Sequence, residues 1–194
     1  GRGLRFVVPL LLAAFVWLAS PLLLGAILSA AVCHELGHWL VLRRVGGRIQ
    51  RLHITVFGAE MQVDDRRISY GGELLTAAAG PVSNLLLAAA MGLLGRWWEP
   101  LYLFAGAQLV LGAFNLLPAL PLDGGRILWL ALAWLTEPYT AQRVLSAVSL
   151  AVSLALLLGG GWFIWRQGGS PFLLVGAVGL TGWNLREIKL AKGG

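Results

Sequence analysis

The sequence predicts an all-α polytopic membrane protein of about six transmembrane helices, with a small β-hairpin on the cytoplasmic side. Three observations predict it. Of 194 residues, 58% are hydrophobic and only 12% are charged, about half the charge with which soluble domains cover themselves. The apolar residues gather in runs approaching the ~20 needed for a helix to cross a ~30 Å hydrocarbon core. One sizeable polar stretch, Gly46–Gly72, interrupts those runs. The expected organisation is a single membrane-embedded domain, 1–194, with the lipid bilayer as its solvent.

The spans are expected at Leu4–Ala19, Leu22–Leu42, Leu74–Leu94, Leu101–Leu117, Val144–Trp165 and Pro171–Leu185. No cleavage pattern precedes the first, which reads as a retained helix. Ile127–Leu135 is about half a span. It reads as an interfacial or re-entrant helix after a break at Pro118, Pro121, Gly124 and Gly125. In the polar stretch, Leu52, Ile54 and Val56 alternate with Arg51, His53 and Thr55, a period of two. Phe57-Gly58-Ala59 then offers a turn into Glu60–Val63, so a hairpin is expected within 46–72.

The net charge of +6 forms no basic face, which excludes nucleic acid as a partner and makes the cations topology signals. With the amino terminus in the cytoplasm, that side holds Arg2, Arg5, Arg43, Arg44, Arg48, Arg51, Arg66, Arg67, Arg126, Arg143, Arg186, Lys189 and Lys192. Only Arg96 and Arg166 fall opposite, thirteen against two. Cytoplasmic loops carry the excess of Lys and Arg, so both termini are expected in the cytoplasm. The single Cys33 allows no internal disulfide.

Within the second span stands His34-Glu35-Leu36-Gly37-His38, the HExxH pattern. Helical residues four apart differ by ~40° and rise ~6 Å, so both imidazoles leave one face toward one metal ion. Glu35, ~100° round from His34, stands beside that site without occupying it. There it can take a proton from water and hand it to a leaving amine. Zn2+ suits two neutral imidazoles and is redox-inert. The bland alternative is chance, with packed or exposed histidines. Three ionisable groups inside one span cost ~2.5–3.5 kcal/mol each, which argues for a compensating partner such as a metal. The motif ends five residues before Arg43, placing the site a turn or two inside the cytoplasmic leaflet.

Zinc bound by two histidines needs a third protein ligand before water completes the tetrahedron. Asp123 is the other intramembrane acid that stands out, in Asn115-Leu116-Leu117-Pro118-Ala119-Leu120-Pro121-Leu122-Asp123-Gly124-Gly125-Arg126. Its carboxylate is expected on irregular backbone lining a cavity. The alternative role is an N-cap for the helix from Arg126.

HExxH in the second span, Ala79-Gly80-Pro81 with Asn84 in the third, and Asn115-x-x-Pro118-x-x-x-x-Asp123-Gly124 in the fourth together resemble the site-2 protease family of intramembrane zinc metalloproteases. Phe57-Gly58 and the Asn115–Gly125 run are most similar to the stage IV sporulation FB type, which processes the precursor of a late sporulation sigma factor. The resemblance implies His34, His38 and Asp123 as zinc ligands and Glu35 as the catalytic acid/base. It further implies a bacterial cell-membrane location, a membrane-inserted or membrane-associated protein substrate and inhibitory membrane-protein partners. The 27-residue stretch Gly46–Gly72 is too short for the PDZ domain of some relatives, and the regulatory tail that others carry after the sixth span is expected to be absent or cut away.

Asn115 is a candidate donor to a substrate carbonyl or oxyanion, weighed evenly against bonding between helices. Asn84 reads as structural, Pro81 as a kink, Cys33 as packing and His53 as an exposed strand residue. Trp97, Trp98, Trp162 and Trp165 suit an interfacial aromatic belt. Two rival functions remain: a metal transporter using the same ligands, and an inactive binding module. Clustering of the acids near one face disfavours the first, and the intact Glu35 disfavours the second.

Overall fold

A computed structural model describes residues 20–55, 58–64, 68–167, 178–182 and 184. Among the described residues the main elements follow in chain order: α1 (Pro21–Arg44), β1 (Arg48–Thr55), β2 (Gly58–Asp64), α2 (Tyr70–Leu94), α3 (Leu101–Asn115), α4 (Asp123–Leu135) and α5 (Pro138–Gln167). Among the described residues, α1, α2 and residues 138–166 of α5 are long and apolar enough to cross a membrane. The protein is an integral membrane protein. The first predicted span lies outside the described residues, as does most of the sixth, of which residues 178–182 and 184 are helical.

Helix α1 starts and stops where its sequence says it should. Ser20 Oγ accepts the N–H of Leu23 at 3.2 Å and Pro21 opens the first turn, where its missing N–H costs nothing. At the far end Gly46 takes φ +83°. The N–H of Gly47 then reaches Leu42 O at 2.9 Å and that of Gly46 reaches Arg43 O at 3.3 Å, the paired bonds of a Schellman stop that favours glycine. Arg43 and Arg44 in the last turn suit the negative end of the helix dipole. Along α1, Leu28, Val32, Leu36 and Leu40 are exposed while Ala26, Ala30, His34 and Gly37 are buried. Large apolar side chains outside and small or polar ones inside is the distribution of a helix packed in lipid.

β1 and β2 pair antiparallel, from Arg48 opposite Asp64 to Thr55 opposite Gly58, with an irregularity between Ile49 and Arg51. The expected hairpin is present, but Gly58 and Ala59, expected in its turn, already belong to β2.

Ser69 Oγ caps α2 by accepting from Gly72 N at 3.2 Å. The helix continues through Pro81. α1 and α2 pack antiparallel at close range: a Cβ on Gly37 would stand 2.6 Å from Ser83 Oγ and 2.7 Å from Ala79 O. α3 returns along α2, where a Cβ on Gly112 would lie 3.0 Å from Asn84 Cβ. The fourth predicted span, Leu101–Leu117, is shorter than expected. α3 has 15 residues and ends at Asn115, because Pro118 cannot supply the next N–H and disfavours helix before it.

Residues 116–122 form a compact loop, closed by Ala119 N to Leu117 O at 2.7 Å and Leu122 N to Ala119 O at 2.9 Å. Ala119 and Leu122 are buried with Leu180, against Phe114, Leu117, Val152 and Leu156. One expectation is corrected here. Gly124 and Gly125 do not break the chain; they lie inside α4, which begins at Asp123. They are small because the loop folds onto them: a Cβ on Gly125 would lie 2.7 Å from Ala119 O, and one on Gly124 would overlap the main chain of Leu116 and Leu117. Close backbone approach, rather than flexibility, accounts for both glycines.

Candidate metal centre

Two helices and the loop-to-helix junction bring three ligand atoms together. His34 and His38 project from α1, and Asp123 opens α4. His34 Nε2 is 3.0 Å from Asp123 Oδ2, His38 Nε2 is 3.2 Å from the same oxygen, and the two Nε2 atoms are 3.1 Å apart. The rings meet edge to face with centroids 4.7 Å apart. All three side chains are largely buried. Asp123 is the first residue of α4 rather than its cap; the capping position is Leu122, and no side chain caps the helix.

Partners of the far ring nitrogens decide what faces the centre. His38 Nδ1 lies 2.7 Å from the main-chain oxygen of Thr76, which can only accept, so Nδ1 carries the proton. His34 Nδ1 lies 2.7 Å from Asn84 Oδ1. The Asn84 amide is oriented by its other end, since Nδ2 donates to Ala30 O at 3.0 Å and also to Gln108 Oε1. Its Oδ1 is therefore the acceptor and His34 Nδ1 the donor. With the proton on Nδ1, each imidazole in its neutral form presents a bare Nε2 lone pair to the carboxylate.

Three acceptors within 3.2 Å of one another repel unless a cation lies among them, and two neutral imidazoles with one carboxylate are a familiar donor set for zinc. Zinc bonds of ~2.0–2.2 Å at the tetrahedral angle set donor atoms ~3.3–3.6 Å apart. The observed separations of 3.0–3.2 Å are a few tenths short, so the residues fit such an ion with little movement. Among the described residues this is the group of histidine, cysteine and acidic side chains able to hold a metal.

Space for the rings comes from Gly80. A Cβ there would lie 2.7 Å from His38 Cε1 and 2.8 Å from His34 Cε1. Ser83, one turn on, donates to Gly80 O at 2.7 Å and approaches Cys33 O at 3.2 Å. On α1, Ala30, His34 and His38 recur every four residues; on α2, Thr76, Gly80 and Asn84 do the same. The two stripes face each other, which is the i, i+4 geometry of helices.

Glu35 is half-buried on α1 and does not belong to the converging triad. Asn115 is the last residue of α3, and its Nδ2 donates to Leu111 O at 3.0 Å within its own helix, so that bond does not join helices. Asn84, read from sequence as structural through bonds between helices, makes such bonds to Ala30, His34 and Gln108, and one of these partners is a predicted ligand. An asparagine in mid-span, eight residues after Thr76 on one helical face, was the available signal. Leu120, three residues before Asp123, donates its N–H to Ser149 Oγ at 3.1 Å. Ser149 belongs to a buried polar cluster in which Ser153 Oγ donates to Ser149 O and Asn184 Nδ2 to Ser153 Oγ.

A family model described as peptidase family M50 matches residues 93–159, the stretch that includes Asp123. That match takes in 67 of the 194 residues. The chain is 29% identical over 138 residues to a zinc metalloprotease of Methanocaldococcus jannaschii, covering 68% of this chain and 40% of that protein. It is also 29% identical over 155 residues to stage IV sporulation protein FB of Bacillus subtilis, covering 73% of this chain and 54% of the relative. The chain therefore spans about half the length, or less, of the curated relatives it matches. Its fold is that of a site-2 protease structure from Methanocaldococcus jannaschii, with TM-score 0.69 at 23% identity over 92% of this chain and 84% of that one.

Proposed function

We propose that this chain is the membrane-embedded catalytic domain of a zinc metalloprotease of the site-2 type, hydrolysing peptide bonds of membrane-inserted or membrane-associated proteins. The observation that carries the proposal is the meeting of two imidazole lone pairs and a carboxylate within 3.2 Å, with an acid adjacent to the first histidine. His34, His38 and Asp123 would hold the zinc. When bound there, zinc polarises a carbonyl and lowers the pKa of a coordinated water to about 7.

The chain's own groups supply the rest. Glu35 takes the proton from the attacking water as its oxygen adds to the scissile carbonyl carbon. It returns that proton to the nitrogen as the C–N bond breaks, leaving a free carboxylate and amine. Asn84 and the Thr76 carbonyl keep the two rings turned with Nε2 inward. Asn115 would donate to the oxyanion through the amide proton not given to Leu111. A helical substrate hides its carbonyls, so it must be bound extended, and β-addition to an edge of the β1–β2 ribbon is the means proposed.

The likeness to stage IV sporulation protein FB favours a sporulation substrate, a sigma-factor precursor being the one its type processes. Both termini and the active-site end of α1 are assigned to the cytoplasm of a bacterial cell membrane by the excess of Arg and Lys there. Metal transport is disfavoured because the ligands converge on one closed triad rather than marking a path between faces.

The test uses the purified chain in detergent with a membrane-associated candidate substrate. Glu35→Gln should lower cleavage by about 10²–10⁴-fold, the usual contribution of general acid–base catalysis, with zinc content unchanged. Asp123→Ala should lower zinc content as well. Cleavage by Glu35→Gln at the wild-type rate would sink the proteolytic assignment.

A further inference from the structure

Gln108 lies in the middle of α3 with no solvent exposure. Its Oε1 accepts from Asn84 Nδ2, while its Nε2 is buried without a hydrogen-bond partner among the described residues. Leaving such a donor unpaired in an apolar interior incurs its full desolvation penalty, and a methionine or leucine would fill the space without it. An amide that keeps an idle donor is explained by what its acceptor does. That acceptor is one step from the metal centre: Gln108 Oε1 and Ala30 O hold Asn84 Nδ2, and Asn84 Oδ1 holds His34 Nδ1–H.

Without Gln108, the Asn84 amide has one anchor instead of two, and rotation about its last torsion is broad. A flipped amide would turn N–H2 toward His34 Nδ1, which then becomes the acceptor and moves the ring proton onto Nε2, the atom that faces the centre. The close approach of α3 at Gly112, where a Cβ would lie 3.0 Å from Asn84 Cβ and 3.2 Å from Pro81 O, keeps the two amides in register. We propose that Gln108 is a positioning residue: acting through Asn84, it fixes the tautomer and direction of His34 for metal binding. The inference rests on the zinc-site assignment above.

Zinc affinity of the full chain in detergent, measured by competition with a chromophoric chelator, decides it. Gln108→Met keeps the volume and removes the acceptor; Gln108→Glu keeps an acceptor oxygen toward Asn84. Second-shell changes at metal sites typically cost 10–100-fold in affinity, and one step further out we expect Gln108→Met to weaken zinc by about three- to tenfold, with Gln108→Glu within about twofold of wild type. The absorption bands of the cobalt-loaded protein should shift for Met and not for Glu. In an Asn84→Ala background, Gln108→Met should add no further loss. Wild-type affinity in Gln108→Met, equal losses in both variants, or a full additional loss in the Asn84→Ala background each overturn the inference. Should Gln108→Met fail to fold, Gln108→Glu decides alone, and a tenfold loss there overturns it. Failure of the wild-type chain to bind zinc would instead overturn the metal assignment itself.

Discussion

His34 Nδ1 on the first described helix donates to Asn84 Oδ1 on the second at 2.7 Å, and this bond between residues fifty apart in sequence turns the Nε2 of His34 toward Asp123. An imidazole on a helix can rotate about its side-chain torsions and carry its proton on either nitrogen. The Asn84 bond removes both freedoms at once, as the Thr76 carbonyl does for His38.

Replacing Asn84 should therefore act on the metal before it acts on the chemistry. Asn84→Ala is expected to weaken zinc by about 10–100-fold, the range seen when a ligand's outer partner is lost. At saturating zinc a substantial part of the cleavage rate should return. Unchanged zinc affinity in a folded Asn84→Ala protein would return the residue to the purely structural role that its sequence context suggests.

Gly80 is expected to tolerate no side chain. A methyl group 2.7–2.8 Å from both Cε1 atoms must push the rings or the helices apart, and overpacking of this kind costs about 1–3 kcal/mol. Gly80→Ala should thus lower both the thermal midpoint and zinc content. Gly25→Ala on α1, where an added Cβ meets nothing within 4 Å, should leave both in place and serves as the control.

Ser149 is expected to matter through the loop that carries Asp123. Ser149→Ala leaves the part-buried Leu120 N–H without its partner, a loss of at most about 1–3 kcal/mol, the range for a fully buried group. The thermal midpoint of the zinc-free protein should fall, and zinc affinity should fall with it, because the loop that sets Asp123 is less constrained. Ser149→Thr, which keeps the hydroxyl, should recover the larger part of both. Equal behaviour of Ala and wild type in both measurements removes Ser149 from the metal site's support.

The assigned topology predicts a labelling pattern. In a Cys33→Ser background, Arg96→Cys and Arg166→Cys should react with an impermeant thiol reagent in intact cells, and Arg67→Cys should react only after lysis. The stacking of Arg96 on Trp97 at 4.1 Å and of Arg166 on Trp162 at 5.8 Å fits side chains at a membrane interface, where aromatic and basic residues pair. The reverse labelling pattern would invert the protein and place the active site at the opposite leaflet.

What the sequence determines by itself is what local periodicity and composition control. Two histidines four apart share a helix face whatever surrounds them. Long apolar runs with few charges become lipid-facing helices because their backbone polar groups have no other partner in hydrocarbon. Ser20 with Pro21, and Gly46 after Arg44, mark helix ends through the donors and angles they supply or withhold. The hairpin in 46–72 was legible from its period of two, and Asp123 from the cost of an acid in an apolar setting.

Tertiary structure alone decides the rest. The α4 start at Asp123 depends on a loop folding back onto Gly124 and Gly125, an approach that two glycines after an aspartate do not distinguish from a flexible break. The partner of His38 is a main-chain carbonyl, which every residue possesses and which therefore leaves no mark in the sequence. Asn84, Gln108 and Ser149 each have the composition of ordinary helix-packing polar residues. Their roles arise from the antiparallel register of three helices, which sets Asn84 against His34 and Gln108 against Asn84, and from the packing of α5 against the loop before Asp123. Register is a property of how whole helix surfaces interlock, and no short window of residues contains it.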